Sequence, residues 1–231
     1  MRASLVNIPL EEVFTPGDGC PVCRLRDMLE TRMLEYITGA AMMEPDIRIE
    51  TNRRGFCREH YERLLAGRNR LSVALMMESY LNELEGRVFG GDVLRKKPTR
   101  AAKAADDEGQ DCFICHHVNE NLDRMLANAC HLWDTDASFR RLFDAQPYLC
   151  LPHFSRLCAI APNEISRRHL PDFGKSVTRL SREYLNTLQE DVSHFCRMFD
   201  YRNASPDADW GNAKDAVERA AQFLTGRPFT K

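Results

Sequence analysis

The sequence predicts an all-α protein made of two tandem, related helical units, each pinned by a metal ion that three cysteines and one histidine bind. Two observations carry this prediction. Apolar residues recur every three or four positions along most of the chain, as in amphipathic helices, and only Ile47-Arg48-Ile49 hints at a short strand. Cysteine and histidine motifs also occur twice, in the same order. We expect the two units to dock about a pseudo-twofold axis.

The composition is that of a folded protein near electrical neutrality. Of the 231 residues, 43% are hydrophobic and 29% are charged, which excludes disorder over the whole length. The net charge of −2 lacks the basic excess of a protein that binds nucleic acid mainly through phosphates. No apolar run approaches the ~20 residues that span a bilayer, and the N-terminus has no signal-peptide pattern. We therefore expect a cytoplasmic protein without membrane contact, whose cysteines bind metal rather than form disulfides.

An internal repeat organises the chain. Cys20-Pro-Val-Cys23 recurs 92 positions later as Cys112-Phe-Ile-Cys115, and Cys57-Arg-Glu-His60 recurs 93 positions later as Cys150-Leu-Pro-His153. Tyr80-Leu-Asn likewise recurs as Tyr184-Leu-Asn. These ordered matches indicate a duplicated unit. The predicted segments are a first metal-binding unit at 1–90, a linker at 91–110, a second metal-binding unit at 111–204 and a C-terminal amphipathic helix at 205–231.

Five helices follow from the apolar spacing, and Gly226 with Pro228 ends the last of them. Their defining positions, in chain order, are Leu25, Leu29, Met33 and Ile37; then Ala74, Met77, Leu81, Leu84 and Val88; then Val118, Leu122, Met125, Leu126, Ala129 and Trp133; then Val177, Leu180, Tyr184, Leu188, Val192, Phe195 and Phe199; and finally Ala213, Ala216, Val217, Ala220 and Leu224.

Glycine, proline and segregated charge between the two units indicate a solvated, mobile connector. Its basic part runs from Arg95 to Arg100, and its acidic part runs from Asp106 to Glu108. The alternative is that the basic part contacts nucleic acid or an acidic partner.

Each copy of the repeat supplies three thiolates and one imidazole, which is the closed tetrahedral shell of a structural zinc ion. The sequence order predicts one site in each copy, because the chain between the two motifs of a copy is long enough to run out along a helix and return. The expected ligand sets are Cys20, Cys23, Cys57 and His60 for the first site, and Cys112, Cys115, Cys150 and His153 for the second. Exchange of motif pairs between the copies is the alternative that the spacing leaves open.

The expected cofactor is zinc, two ions per chain, and an iron–sulfur cluster is the alternative because cysteine and histidine also hold such clusters. Cys115-His116 completes a c-type haem signature, but haem attachment requires export, for which the chain shows no segment. Arg24, Arg54 and Arg58 each lie within three residues of a predicted ligand. They either balance the negative charge of the first site or are solvated surface residues.

The remaining cysteines and histidines have no ligand spacing. Cys130, Cys158 and Cys196 have no counterpart in the first copy and are expected to be small core residues. No catalytic residue is predicted, because four protein ligands leave no open position on a metal and no phosphate-loop, HExxH or GxSxG motif occurs. Enzymatic activity is therefore not expected.

The motif combination resembles an uncharacterised bacterial family of duplicated Cys-x-x-Cys/Cys-x-x-His proteins. The likeness rests on Cys20-Pro-Val-Cys23 with Arg54-Gly-Phe-Cys-Arg-Glu-His60, and on Cys112-x-x-Cys115 with Tyr148-Leu-Cys-Leu-Pro-His153-Phe154; it runs roughly from Pro16 to Tyr201. The resemblance implies a bacterial, cytoplasmic protein and no activity.

These observations favour a non-enzymatic, zinc-stabilised interaction or regulatory protein that binds a protein partner or a second copy of itself. The first alternative is a redox or metal-handling protein with iron–sulfur clusters at the two Cys3His sites. The second alternative is a nucleic-acid-binding module that uses Arg95–Arg100, which the near-neutral charge does not favour.

Overall fold

The structure, a computed structural model, describes residues 10–90, 98–108, 110–199 and 209–227, and within these ranges it confirms the all-α prediction: it has eleven α-helices and no strand. A 3-10 turn covers Ala40–Met43 and a π-helical turn covers Glu85–Phe89. The α-helices are α1 Leu10–Phe14, α2 Pro21–Thr38, α3 Pro45–Arg54, α4 Arg58–Ala66, α5 Arg70–Leu84, α6 Pro98–Asp107, α7 Phe113–Thr135, α8 Ala137–Asp144, α9 Leu151–Glu164, α10 Leu170–Met198 and α11 Ala216–Thr225.

The five apolar patterns fall in α2, α5, α7, α10 and α11, except that Val88 lies in the π-helical turn, Phe199 follows α10 and Ala213 precedes α11. The strand hinted at by Ile47–Ile49 is wrong, because these residues lie inside α3. Pro45 occupies the first turn of α3, where its missing N–H does no harm, and Gly55 ends the helix with a φ of 63°. These start and stop signals outweigh three residues of alternation.

The buried face of α5 differs from the predicted one. Ala74 and Leu81 are exposed, whereas Ser72, Val73 and Met76 are buried. The reason is that α5 packs on α3 through polar side chains: Arg48 Nη1 donates to Ser79 Oγ at 2.8 Å, and Ser79 Oγ donates to Asn52 Oδ1 at 3.0 Å. A hydrogen-bonded helix contact carries no apolar periodicity, so the spacing indicated the helix but not its inner face.

The chain forms two compact units that are not the tandem segments of the repeat. The first unit contains residues 27–122, and the second unit contains residues 6–26 together with 123–231. The unit boundaries therefore fall inside α2 and α7. The duplication and the pseudo-twofold arrangement of its copies stay predictions.

In the first unit, the segment expected to be a mobile connector contains a packed helix. Helix α6 lies against the π-helical turn, and its Ala101 is buried at 7% exposure. The basic residues Arg95 to Lys97 lie outside the described residues. The expectation of a wholly solvated linker is thus wrong for Pro98–Asp107, where alanines at 101, 102, 104 and 105 favour helix.

Aromatic rings fill the core of the second unit. Phe14 lies 5.2 Å from Phe139 and 5.4 Å from Phe143 between ring centroids, and Phe143 lies 5.7 Å from Phe173. Trp133 packs on Phe173 at 5.1 Å, and its Nε1 donates to Asp144 Oδ1 at 3.0 Å. The cluster joins α1, α7, α8 and α10, so it fixes the scaffold around the later cysteine motif.

In the segment expected to form a C-terminal amphipathic helix, the structure has α11, which begins at Ala216. It packs on α9 and α10 through buried Ala216 and Phe223, and residues 205–208 lie outside the described ranges. Arg219 Nη2 pairs with Asp191 of α10 at 2.9 Å. The helix is therefore a part of the second unit and not a separate tail.

Truncation of the aromatic core should strongly destabilise the second unit. Phe143→Ala removes a fully buried ring and should lower the free energy of unfolding by ~3–5 kcal/mol. Phe199→Ala is the matched control, because Phe199 is 70% exposed, and it should change that free energy by less than ~1 kcal/mol. Urea unfolding followed by circular dichroism measures both. Equal effects of the two substitutions would contradict the assigned core.

Asp134 should make stability depend on pH. It accepts hydrogen bonds from the Ser166 backbone N–H at 3.0 Å and from His169 Nδ1 at 2.5 Å. Burial raises its pKa, but these hydrogen bonds outweigh burial and hold the pKa below its ordinary value. The stabilising contribution is therefore present at neutral pH and is lost as the pH falls through the pKa of the folded state.

Asp134→Asn should accordingly lower Tm at pH 7, and the difference from the natural chain should shrink in acid below about pH 4. Asp172→Asn is a control with a smaller expected effect, because Asp172 is exposed and the largest cause of its lowered pKa is its surface pair with Lys175. Thermal melts across the acid range measure both. A Tm difference for Asp134→Asn that does not change with pH would rule out this carboxylate as the cause.

Candidate metal centres

The eight predicted ligands form two clusters of four, and each cluster combines motifs from different copies of the repeat. The four donor atoms of a cluster all lie within 4.8 Å of one another, so each cluster could hold one metal ion. The second-unit cluster is Cys20, Cys23, Cys150 and His153, and the first-unit cluster is Cys57, His60, Cys112 and Cys115. The pairing predicted within each copy, Cys20 and Cys23 with Cys57 and His60, is wrong, and the exchanged alternative is correct.

The physical reason for the exchange lies in the segment that follows α2. Helix α2 carries the chain ~27 Å over its 18 residues. The prediction required residues 41–56 to return that distance as extended chain. Most of these residues instead form a 3-10 turn and α3, and a helix rises only ~1.5 Å per residue.

The second-unit cluster is assembled at the starts of two helices. Cys20 precedes α2 and Cys23 lies in its first turn, while Cys150 is the N-cap of α9 and His153 lies in that helix's first turn. His153 Nδ1 lies 3.0 Å from Cys150 Sγ, 3.4 Å from Cys23 Sγ and 3.7 Å from Cys20 Sγ. All four residues are buried. Helix N-termini favour the thiolate form that binds metal.

The end of α11 covers the second-unit cluster. Cys23 Sγ donates to the carbonyl oxygen of Gly226 at 3.3 Å. A Cβ atom at Gly226 would lie 3.3 Å from Cys150 Sγ, and the backbone there has a φ of +71°. Only glycine fits this position without strain, because it has a left-handed conformation and the close approach of a sulfur.

The first-unit cluster has the same arrangement on α4 and α7. Cys57 is the N-cap of α4, and Cys112 precedes α7. His60 Nδ1 lies 3.1 Å from Cys57 Sγ, 3.3 Å from Cys112 Sγ and 3.4 Å from Cys115 Sγ. The Phe113 N–H donates to the Gly55 carbonyl oxygen at 3.0 Å and ties the two ligand loops together. Cys57 and Cys115 are only half-buried, unlike the ligands of the second-unit cluster.

Glu30 orients the histidine of the first-unit cluster. His60 Nε2 lies 2.5 Å from Glu30 Oε1, and Arg63 Nη1 lies 3.0 Å from Glu30 Oε2. Glu30 is 2% exposed. A carboxylate on the far ring nitrogen fixes the tautomer that directs Nδ1 at a metal. Sequence reasoning missed Glu30, and no motif could have found it, because it belongs to α2 and lies 30 positions before His60.

The tyrosines of the repeat occupy equivalent places beside the clusters. In the first unit, Tyr80 packs on Gly55, where an added Cβ would lie 2.7 Å from Tyr80 Oη. In the second unit, Tyr184 stacks on Tyr148 at 3.8 Å with a 4° angle between the rings. Gly55 and Tyr148 each stand two residues before the cysteine of their Cys-x-x-His motif. The Tyr-Leu-Asn match therefore marks a contact that supports each ligand loop.

Neighbouring donors shift the pKa values of the cluster thiols in opposite directions. Hydrogen bonds from Cys115, together with His60, lower the pKa of Cys112 to about 3 despite its burial. Burial opposes ionisation of Cys20, but hydrogen bonds from its neighbours lower its pKa well below the ordinary value. The hydrogen bond to Cys20 raises the pKa of Cys150 to about 12. A metal ion must therefore displace protons from the remaining thiols as it binds.

The three arginines near the ligands bind carboxylates. Arg24 pairs with Asp18. Arg54 pairs with Asp111 and with Glu50, and Arg58 forms an exposed pair with Glu62 at 3.0 Å. Their role as charge partners of a metal site stays a prediction.

The cysteines outside the clusters follow the prediction only in part. Cys130 is fully buried, as expected. Cys158 and Cys196 are exposed, so their assignment to the core is wrong. They lie on the outer faces of α9 and α10. The sequence around a lone cysteine did not show whether it faces the core or the solvent.

Comparison with known proteins places the chain in a family. A model described as a family of unknown function (DUF6062) matches residues 1–231. The chain belongs to this family. The DUF6062 match confirms the resemblance to an uncharacterised family and extends it beyond Tyr201 to include α11. Comparisons with curated proteins and with solved structures gave no match. Within the described ranges, no helix combines the length and apolarity needed to cross a membrane.

Gly226→Ala should loosen the cover of the second-unit cluster. The new side chain meets Cys150 Sγ and forces an L-residue into a left-handed conformation, so unfolding free energy should fall by ~1–2 kcal/mol. Gly174→Ala is the matched control, because that position in α10 has open space around it and should gain ~0.5–1 kcal/mol. Urea unfolding of both variants measures the difference. Equal stability of the two variants would show that Gly226 is not constrained.

Proposed function

We propose that each cluster binds one zinc ion and that the two ions hold the helical units in the conformation that a protein partner or a second copy of the chain recognises. In this proposal the protein is a non-enzymatic, metal-stabilised interaction or regulatory module. The observation that carries the proposal is the packing of three thiols and one imidazole nitrogen around a single point in each unit.

The donor distances fit a single tetrahedral zinc ion. Zn–S bonds of ~2.3 Å and Zn–N bonds of ~2.0–2.1 Å at tetrahedral angles require S···S separations of ~3.8 Å and S···N separations of ~3.6 Å. Two of the six Sγ–Sγ pairs lie at 3.6 Å (Cys23 and Cys150) and 3.9 Å (Cys57 and Cys115), and all donor atoms of a cluster lie within 4.8 Å of one another. The six Sγ–Nδ1 distances lie between 3.0 and 3.7 Å. This compactness favours one ion over a cluster whose ligands are divided between two irons.

The ligand shell supports a structural role rather than a catalytic one. Four protein donors complete a tetrahedral shell and leave no position for water. The Glu30–His60 pair further fixes one donor, as is common for metal-bound histidines. Clusters of cysteines that form no disulfides are typical of reducing compartments, which supports the proposed cytoplasmic location.

The energy of metal binding is large enough to control folding. A structural zinc ion contributes ~10–16 kcal/mol of apparent free energy, and the net stability of a domain is ~5–15 kcal/mol. Each ion would also join distant parts of the chain, such as Cys23 and Cys150, which lie 127 positions apart. Loss of an ion should therefore unfold the unit that contains it.

Metal handling at the first-unit cluster is a second candidate function, favoured by one observation. Cys57 and Cys115 are half-buried, whereas all four ligands of the second-unit cluster are buried beneath α11. A chelator or a metal-accepting protein would reach the first-unit ion more easily. In this alternative only the second-unit ion has a permanent structural role.

Metal analysis of the purified chain tests the proposal. We expect two zinc atoms per chain, and X-ray absorption should give an average shell of three sulfurs and one nitrogen around each. Chelation should release both ions and abolish most of the helical circular dichroism signal. Unchanged helicity after complete metal loss would contradict the structural role. Release in two phases would support metal handling at the first-unit cluster if Glu30→Gln changes the rate of the faster phase alone. Glu30 contacts His60, so this substitution identifies the phase that belongs to the first-unit ion.

A further inference from the structure

We propose a further metal site in the first unit, formed by His116, His117 and Glu120 of α7, which binds a divalent transition-metal ion without any thiolate. One donor atom from each of the three residues lies within 4.8 Å of the other two. The residues follow the first-unit cluster directly, but their side chains form a separate group of nitrogen and oxygen donors.

Packing in the first unit holds the imidazoles together. The His117 ring lies against the Phe113 ring, with 4.4 Å between centroids, and the His116 and His117 rings are 5.1 Å apart. Glu120 stands one helical turn after this pair, at positions i+3 and i+4, which face the same side of a helix. The helix therefore presents two imidazoles and a carboxylate on one side.

Glu50 of α3 places a second carboxylate beside His117. Its Oε1 lies 3.3 Å from His117 Nε2, a solvent-shielded nitrogen for which this carboxylate is not aligned as a hydrogen-bond acceptor. The same Oε1 accepts a hydrogen bond from Arg54 Nε at 3.2 Å, which holds the carboxylate in position. A buried ring nitrogen without a well-aligned hydrogen bond is uncommon, and a metal ion bound by His116, His117 and Glu120 would give the His117 ring a further partner.

The donor set determines which ions fit. Imidazole nitrogens with carboxylate oxygens suit Zn²⁺, Co²⁺, Fe²⁺ and Ni²⁺, and three such donors leave coordination positions for water. The ion should therefore exchange more readily than an ion in the Cys3His shells. The site does not follow from the repeat, because Arg24, Leu25 and Met28 occupy the corresponding positions of the first copy.

Cobalt binding to the full-length, zinc-loaded chain tests this site. We expect one additional Co²⁺ per chain, with visible d–d absorption but without the sulfur-to-cobalt charge-transfer band that cysteine ligands produce. Glu120→Gln and His116→Asn should each raise the Kd for this Co²⁺ by more than about tenfold. His131→Asn is the matched control, because it removes a histidine elsewhere on α7 and should leave the Kd unchanged.

Three outcomes would overturn the proposal. They are the absence of any additional Co²⁺, its retention at unchanged affinity in the Glu120→Gln/His116→Asn double variant, and a charge-transfer band that grows with the additional equivalent. Circular dichroism of the double variant establishes that it is folded. The charge-transfer band also reports separately on the cysteine clusters, so failure of the zinc proposal and failure of this site give different spectra.

Discussion

Each candidate metal cluster joins the start of a long helix to a Cys-x-x-His motif that lies far along the chain. Cys20 and Cys23 meet Cys150 and His153, while Cys112 and Cys115 meet Cys57 and His60. The two compact units follow this exchange, because the second unit takes residues 6–26 from the start of the chain. In the second unit, the end of α11 packs over these contacts.

The two clusters share a donor set but differ in their surroundings. A buried carboxylate, Glu30, holds the histidine of the first-unit cluster, and two of its cysteines remain partly accessible. In the second unit, the α11 end at Gly226 closes over buried sulfurs. If both clusters bind zinc as proposed, the second-unit ion is firmly enclosed and the first-unit ion is exchangeable. The buried second-unit cluster suits the proposed structural role, and the partly accessible first-unit cluster suits the alternative of metal handling.

Apolar periodicity predicted the helical class, and the repeated Cys-x-x-Cys and Cys-x-x-His motifs predicted the eight candidate ligands. Both predictions depend only on the local spacing of residues. The sequence order predicted the wrong partners for the motifs, since pairing depends on whether the chain between them is extended or helical. Residues 41–56 decide that question through Pro45 and Gly55, which begin and end α3. The inner face of α5 was also misassigned, because Arg48, Asn52 and Ser79 make a polar contact that has no apolar period. Glu30 could not be predicted, because its partner is brought to it only by tertiary folding.

Metal content of two quadruple variants tests the exchanged pairing most directly. The first variant removes Cys20, Cys23, Cys150 and His153, and the second removes Cys20, Cys23, Cys57 and His60, with serine for cysteine and asparagine for histidine. Exchanged pairing predicts one zinc ion per chain in the first variant and none in the second, since the second variant leaves only two donors in each cluster. One ion in the second variant and none in the first would contradict the account.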